Sequence, residues 1–235
     1  MPKKTPGKLN APPPQGTFDT LPLQRWCRPV QGVFYRLHSV DHATGTMWHP
    51  VHFSRRGATR FDPKEGTGTL CLGNSLSTAL LETFDDLWGP VGDLTRTLSP
   101  TDLAEWWVTL LAIPPVPVLL AQADNLSKMG TDLQLLSGEH STAREWARRI
   151  MAHPARVGGI RYLSRHHTRL ENLALFLRDG LLPAESREDL IISSPSSGKP
   201  NVRAVDKLLY GPSVMLRDHP ELPASLRELE VGLLP

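Results

Sequence analysis

Cysteine is scarce in this sequence, and long apolar runs are missing from it. Only Cys27 and Cys71 occur, and no C-x-x-C spacing is present. We therefore expect neither a zinc ribbon nor a disulfide framework, and two free thiols are typical of a reducing compartment. No apolar run approaches the ~18 residues that a membrane-spanning helix requires. Residues 1–16 also lack the apolar segment of a secretory signal, so we expect a cytoplasmic protein.

A strong charge of one sign is absent as well. The formal net charge is +2, the isoelectric point is near 8.6, and the densest basic run, residues 144–149, also contains Glu145. Such a run is typical of a solvated helix face, whereas nucleic-acid-binding proteins concentrate lysine and arginine on one surface. We therefore do not expect nucleic acid as a partner.

Two common kinds of functional motif are missing. The stretch GTGTLCLG at residues 66–73 has neither the G-x-G-x-x-G nor the Walker spacing, which disfavours a Rossmann dehydrogenase. Four histidines fall between residues 38 and 52, but the H-E-x-x-H spacing is absent, so no catalytic metal is expected. A histidine near the site would still suit acid–base chemistry near neutral pH, and His166 is the candidate.

The composition is that of a globular protein with a core, and its distribution suggests three parts. Hydrophobic residues make up 40% and charged residues 21% of the 235 residues. Residues 1–22 contain six prolines and few bulky apolar side chains, which predicts a flexible or polyproline-like tail. Residues 23–180 are predicted to form the main folded domain. Residues 181–235 are predicted to form a C-terminal extension, which includes a serine-rich linker and packs back on the domain.

The hydrophobic patterns predict an α+β fold. Segments rich in β-branched and aromatic residues predict strands, and apolar residues at offsets of three and four predict helices. Their irregular order favours a mixed or antiparallel sheet with flanking helices over a doubly wound sheet. The predicted strands cover residues 33–40, 58–61, 69–72, 107–113, 116–122, 157–164 and 172–179, with a break at Pro114-Pro115; the predicted helices cover residues 76–87, capped by Asn74 or Ser75, and 142–152, with a capping box from Thr142.

Three polar residues stand in otherwise apolar segments. They are Arg36 in VFYRLHSV, Glu82 in NSLSTALLETF and Ser164 in GGIRYLSR. An unpaired charge is costly to bury, so a guanidinium, a carboxylate and a hydroxyl that converge would suit a phosphorylated, sugar-containing ligand. Glu82 falls at the edge of its apolar helical stripe, which places it at the rim of the buried face. A structural ion pair between Arg36 and Glu82, with Ser164 as an ordinary strand-end hydroxyl, is the alternative.

Four motifs containing these residues occur in order along the chain. They are Tyr35-Arg36, Thr59-Arg60-Phe61-Asp62-Pro63, Ser77-Thr78-Ala79-Leu80-Leu81-Glu82, and Gly159-Ile160-Arg161-Tyr162-Leu163-Ser164 followed by residues 172–176. Together they resemble the RES family, which is named for its arginine, glutamate and serine. The resemblance extends over residues 33–178.

The resemblance implies a fold and a function. Known members of the RES family are toxins of bacterial toxin–antitoxin pairs that degrade NAD by hydrolysis or phosphorolysis, and their fold is similar to that of ADP-ribosyltransferases. It implies that Arg36, Glu82 and Ser164 form the catalytic trio and that Arg60 is a further ligand contact. NAD would be the substrate, with no cofactor or metal, and a cognate antitoxin would be the protein partner.

One position departs from the family pattern. Many members carry a tyrosine in the strand before the glutamate helix, where this chain has Leu70-Cys71-Leu72. Tyr35 or Phe61 would then supply the aromatic contact to the ligand.

Three functions remain open on the sequence alone. The first is cleavage of the nicotinamide–ribose bond, in which Glu82 stabilises an oxocarbenium-like ribose and the arginines bind phosphate oxygens. The second is ADP-ribosyl transfer to a macromolecule, and the third is an inactive module that binds a nucleotide or a partner. Water and inorganic phosphate remain alternative acceptors for the cleavage, and the oligomeric state is open.

Overall fold

The structure is a computed structural model that describes residues 9–41, 46–84, 96–164, 167–178, 203–205 and 208–234. The helices in this part are α1 (Gln15–Phe18), α2 (Leu76–Phe84), α3 (Pro100–Glu105), α4 (Ala123–Met129), α5 (Gln134–Ser137), α6 (His140–Ala152) and α7 (Leu222–Glu228). The strands are β1 (Cys27–Asp41), β2 (Thr46–Met47), β3 (Thr69–Gly73), β4 (Thr97–Leu98), β5 (Trp106–Leu120), β6 (Gly159–Ser164), β7 (His167–Phe176), β8 (Arg203–Val205), β9 (Leu208–Tyr210), β10 (Val214–Met215) and β11 (Gly232–Leu233). None of the helices in these ranges has the length and apolar character needed to cross a membrane.

Nine of the described strands join one sheet, which closes on itself. The strand order is β2-β1-β3-β7-β6-β5-β9-β8, and β10 also pairs with β5. Because β1 pairs with β5 as well as with β3, the strands β1, β3, β7, β6 and β5 form a ring. The β5–β6 pairing is parallel and the other four pairings of the ring are antiparallel. This mixed sheet with flanking helices confirms the predicted α+β class.

The long strand β5 runs through two prolines, so the predicted break at Pro114-Pro115 is wrong. The register between β1 and β5 shifts between Val30 and Gly32, opposite those prolines. Gly32 has φ of 128°, a conformation that favours glycine. Because proline has no N–H to give to a ladder, an irregularity at this point lets the strand continue without a broken hydrogen bond.

The strand predicted at residues 58–61 is also wrong, because this stretch is a turn held by Asp62. The Asp62 side chain is 1% exposed. Its Oδ2 accepts hydrogen bonds from Ser54 Oγ at 2.7 Å and from the Ala58 backbone N–H at 3.3 Å. A buried carboxylate that accepts hydrogen bonds from nearby backbone and side-chain donors stabilises a turn more than an extended strand.

The two predicted helices are present, with one error in capping. In α2 the Ser75 Oγ accepts from the Thr78 backbone N–H at 3.1 Å, which confirms the cap expected there. Its predicted end at residue 87 lies outside the described residues. The helix α6 begins at His140, two residues before the predicted capping box at Thr142, and its N-cap residue Glu139 makes no side-chain cap hydrogen bond.

The N-terminal residues 9–22 pack on the domain, which corrects the prediction of a flexible tail for this part. Leu9 and Phe18 are buried in the same apolar cluster as Trp146 of α6. The Trp146 indole N–H donates to the Asn10 carbonyl at 2.8 Å, and the Phe18 ring meets the indole edge-on at 5.9 Å. Leu9, Phe18 and the Asn10 carbonyl therefore anchor this proline-rich segment on α6. Residues 1–8 lie outside the described residues.

Replacing Phe18 by alanine tests this anchoring. We expect Phe18→Ala to lower the free energy of unfolding by about 3–4 kcal/mol, because a fully buried aromatic ring is removed. Urea unfolding followed by tryptophan fluorescence measures the change, and Thr17→Ala, at an exposed neighbour, is the control. Equal stability of the two variants would show that the segment is not anchored.

Candidate active site

Arg36 projects from β1 into a cavity beneath β3. Its Nη1 donates to the Cys71 carbonyl at 2.9 Å, and its buried Nε has no hydrogen-bond partner among the described residues. Burial lowers the pKa of the Arg36 guanidinium, and the Cys71 and Asp62 groups oppose that shift. Arginine remains protonated in proteins, so the site holds a poorly solvated cation with an unused donor. An anionic ligand would satisfy both.

Glu82 lies on α2 and is held at both carboxylate oxygens. The Tyr162 hydroxyl donates to Oε1 at 2.7 Å, and the Asn172 amide Nδ2 donates to Oε2 at 2.9 Å. Tyr162 on β6 and Asn172 on β7 are directly opposite each other in the ladder, so their side chains leave the sheet on the same face. Both are buried, at 6% and 2% exposure. The paired strands therefore fix the orientation of the carboxylate.

The pKa of Tyr162 shows how strongly this contact constrains the phenol. Burial raises it well above the ordinary value of 10.0, and the negative charge of Glu82 and the hydrogen bond to it raise it further. The phenol consequently stays protonated and remains a donor to Glu82 at any working pH.

Ser164 lies two residues after Tyr162, at the end of β6, and completes the trio. It is half-buried and lines the same cavity as Arg36 and Glu82. The three residues that the sequence singled out therefore come together from β1, α2 and β6.

The cavity has the size and lining of a small-molecule site. Its volume is about 360 Å³, within the range of ligand pockets. Among the described residues its lining contains one carboxylate, that of Glu82, together with arginines, histidines, aromatic rings, neutral polar groups and apolar side chains. Besides the trio, the residues that line it include Trp48, His52, Arg56, Thr59, Arg60, Cys71, Trp106, His140 and Tyr162.

Arg60, the predicted further contact, also lines this cavity. It is buried at 6% exposure, and its Nη1 donates to the Gly138 carbonyl at 2.5 Å, between α5 and α6. The turn organised by Asp62 thus carries Arg56 and Arg60 to one wall of the cavity. The described lining therefore contains three arginines and one carboxylate.

Tyr35 and Phe61, the predicted aromatic contacts to the ligand, are not among the described residues that line the cavity. Successive side chains of a strand point to opposite faces, so Tyr35 projects away from Arg36. Its hydroxyl donates to both carboxylate oxygens of Glu221 at 2.8 and 2.9 Å, and burial and Glu221 raise its pKa to about 12. Phe61 is 1% exposed and packs edge-on behind Tyr162 at 4.9 Å.

The aromatic surface of the cavity comes from residues to which the sequence assigned no such role. Trp48 packs against the His52 ring at 4.7 Å, and the Arg56 guanidinium lies 4.1 Å from its ring centroid. Tyr162 and Trp106 contribute the other rings. Tyr162 lies in the sequence motif of residues 159–164, but the sequence does not show that its hydroxyl donates to Glu82; that contact follows from the β6–β7 register.

Cys71 occupies the wall where family members carry tyrosine. Burial raises the pKa of its thiol to about 11, helped by the nearby Glu82 charge. The thiol therefore stays neutral and is a weak nucleophile at neutral pH.

Two of the histidines that line this cavity, His38 and His52, are neutral near neutral pH. Burial and the Arg36 charge lower the pKa of His38 to about 3, and its Nε2 lies 2.9 Å from Thr109 Oγ1. Burial, followed by the charges of Arg36 and Arg56, also lowers the pKa of His52. His166, the predicted acid–base candidate, lies outside the described residues. Within the described ranges no group of three or more metal-ligating side chains occurs.

The shifted Tyr162 pKa predicts how stability varies at alkaline pH. Above about pH 10 the unfolded chain releases this phenolic proton while the folded protein retains it, so stability falls by up to about 1.4 kcal/mol per pH unit for this group. Tyr162→Phe removes that contribution, and its stability deficit relative to wild type should shrink between pH 9 and pH 11. Urea unfolding across this range measures it, and a constant deficit would contradict the assignment.

Comparisons with known proteins agree with this architecture. A family model described as the RES domain matches residues 33–190, which include all six predicted site residues. The fold is similar to that of the MbcT toxin in the crystal structure of the M. tuberculosis MbcT-MbcA toxin–antitoxin complex, with a TM-score of 0.55. The two chains are 13% identical, and the match covers 92% of this chain and 95% of that chain. No curated protein matches the sequence.

Proposed function

The chain belongs to the RES domain family, and from this premise we propose that it is an NAD-degrading toxin that cleaves the nicotinamide–ribose bond. The observation that carries the proposal is the Glu82 carboxylate, held by two donors in a cavity whose described lining also contains Arg36, Arg56 and Arg60. The fold shared with a toxin chain supports the same conclusion.

Glu82 suits the stabilisation of the reacting ribose. Loss of nicotinamide leaves positive charge on the ribose ring in an oxocarbenium-like transition state. A fixed carboxylate beside that ring stabilises the charge without reorganising during the reaction. Tyr162 and Asn172 provide this fixation, because each oxygen of Glu82 already has a defined partner.

The arginines suit the pyrophosphate of NAD. Arg36, Arg56 and Arg60 line the cavity with Glu82, so that its described lining has three arginine side chains and one carboxylate. Guanidinium groups form forked, charge-assisted hydrogen bonds with phosphate oxygens, and Arg36, whose buried Nε has no partner among the described residues, lines the cavity. NAD is bound as the substrate in this proposal, and no cofactor is required.

Ser164 and the aromatic rings complete the assignment. The Ser164 hydroxyl, on the wall shared with Glu82, would orient the acceptor, which is water in hydrolysis and inorganic phosphate in phosphorolysis. Trp48, Trp106 and Tyr162 offer apolar surface for the rings of the dinucleotide. A cognate antitoxin protein that keeps NAD out of this cavity would be the partner, as in a toxin–antitoxin pair.

Nicotinamide release from NAD by the purified protein tests the proposal directly. We expect release by the wild type and a loss of kcat of about 10²–10³-fold in Glu82→Gln, because a neutral amide cannot stabilise the ribose cation. Glu145→Gln, at an exposed position of α6, is the matched control and should retain full activity.

The products distinguish the alternatives in the same experiment. Mass spectrometry of reactions with and without inorganic phosphate separates ADP-ribose from its phosphorylated form and so names the acceptor. Labelled ADP-ribose attached to a macromolecule would replace the proposal with a transferase. NAD binding without turnover, measured by calorimetry, would replace it with a binding module.

The planar, forked donors of the Arg36 guanidinium give a second kinetic prediction. Arg36→Lys keeps a positive charge but loses Nε and the planar pair of donors, so the KM for NAD should rise about tenfold, the effect of one lost charge-assisted hydrogen bond. Initial-rate kinetics measure the change, with Arg55→Lys at an exposed neighbouring position as the control. A KM equal to that of wild type would exclude Arg36 as a ligand contact.

A further inference from the structure

The C-terminal segment, residues 208–234, lies beyond the range matched by the family model but is built into the domain. Its strands β9 and β10 pair with β5, and β11 pairs with β4. Its helix α7 packs on α2, the helix that carries Glu82. The segment therefore contacts the elements that form the cavity walls.

On the α2 side, the contact combines apolar packing with one polar anchor. Leu222 and Leu226 of α7 are buried in the same cluster as Leu80 of α2. The Ser77 hydroxyl, 2% exposed, donates to the Glu228 carboxylate. Ser77 precedes Glu82 by five residues, about 7.5 Å along the helix axis. Fixing the first turn of a nine-residue helix fixes the height of Glu82 above the sheet.

On the β1 side, the anchor is the residue next to Arg36. Glu221 accepts the Tyr35 hydroxyl with both oxygens, and the Tyr35 ring meets the His219 ring edge-on at 6.3 Å. Because neighbouring side chains of a strand leave opposite faces, holding Tyr35 on one face fixes the rotation of β1 that directs Arg36 into the cavity.

Two further side chains of the segment reach the cavity wall and its surroundings. Ser213 Oγ lies 2.7 Å from Thr109 Oγ1 and 3.3 Å from Nε2 of His38, which lines the cavity. The Tyr210 hydroxyl lies 3.0 Å from His49 Nε2, one residue after Trp48. The segment therefore makes side-chain contacts with the rest of the domain at several points between Tyr210 and Glu228.

We propose that residues 208–234 act as a brace that holds α2 and β1 in the catalytic arrangement, with Glu228 and Glu221 as positioning residues for Glu82 and Arg36. This inference rests on the proposed function for its kinetic part. Each carboxylate lies on the surface of the segment and touches no residue of the trio, so its effect is exerted through Ser77 or Tyr35.

The test uses the full-length chain with Glu228→Ala and Glu221→Ala, and with Arg227→Ala as the control at an exposed position of the same helix. For Glu228→Ala we expect kcat to fall about tenfold with an unchanged KM, because the carboxylate that stabilises the transition state is displaced. For Glu221→Ala we expect the larger effect on the KM for NAD, because Arg36 contacts the ground state as well. Arg227→Ala should match wild type in both constants.

Two structural readouts accompany the kinetics and do not depend on NAD chemistry. Hydrogen–deuterium exchange should accelerate in residues 76–84 of Glu228→Ala but not of Arg227→Ala. Spectrophotometric titration should show a lower Tyr35 pKa in Glu221→Ala, because the hydrogen bond and the negative charge of Glu221 add to the effect of burial in raising it to about 12. Both variants retain the apolar core of the segment, so folding is preserved.

The outcomes separate this inference from the proposed function. Wild-type exchange in α2 and an unchanged Tyr35 titration would overturn the brace whatever the activity. Altered exchange and titration with kcat and KM equal to those of wild type would reduce the segment to a structural role and also overturn it. A wild-type protein that leaves NAD intact would remove the proposed function, while the exchange and titration would still decide whether the segment holds α2 and β1.

Discussion

The hydrogen bonds that hold Glu82 are the interaction on which the site depends. A carboxylate at the edge of a buried helix needs donors, and the pairing of β6 with β7 supplies one for each oxygen through Tyr162 and Asn172. These contacts join α2 to the sheet as well as orienting the charge. Around that junction Phe61 supports Tyr162 from behind, and Ser164 follows on the same strand. The position of the Glu82 carboxylate and the packing of α2 on the sheet thus both depend on the register between β6 and β7.

The electrostatic character of the cavity follows from a division between arginine and histidine. Burial and the Arg36 charge lower the pKa of both His38 and His52, so neither imidazole is charged near neutral pH. The positive charge that an anion would meet on this wall therefore comes from arginine and not from these two histidines. The turn around Asp62 also contributes to this charge. Its buried carboxylate accepts hydrogen bonds from Ser54 and Ala58 and so stabilises the loop that carries Arg56 and Arg60.

The sequence predicts the parts of the molecule whose signal is local. The α+β class, the α2 helix with its Ser75 cap and the membership of the RES family follow from periodicity and ordered motifs. Contacts set by strand register were beyond it, including the Tyr162–Asn172 pair and the passage of β5 through its prolines. Tyr35 was assigned to the ligand although strand alternation turns it to the other face from Arg36. The tail was misjudged because composition does not reveal that Leu9 and Phe18 reach Trp146.

The closed ring of strands has a kinetic consequence. Arg36 pairs with Thr109 across 73 residues (109 − 36), and Leu111 pairs with Tyr210 across 99 (210 − 111). Contacts between such distant parts of a chain form slowly, because the entropy of closing the loop is lost before any contact compensates for it. The elements that carry Arg36, Glu82 and Ser164 are brought to a common cavity by these long-range pairings. We therefore expect this chain to acquire a competent site only late in folding, as the sheet closes.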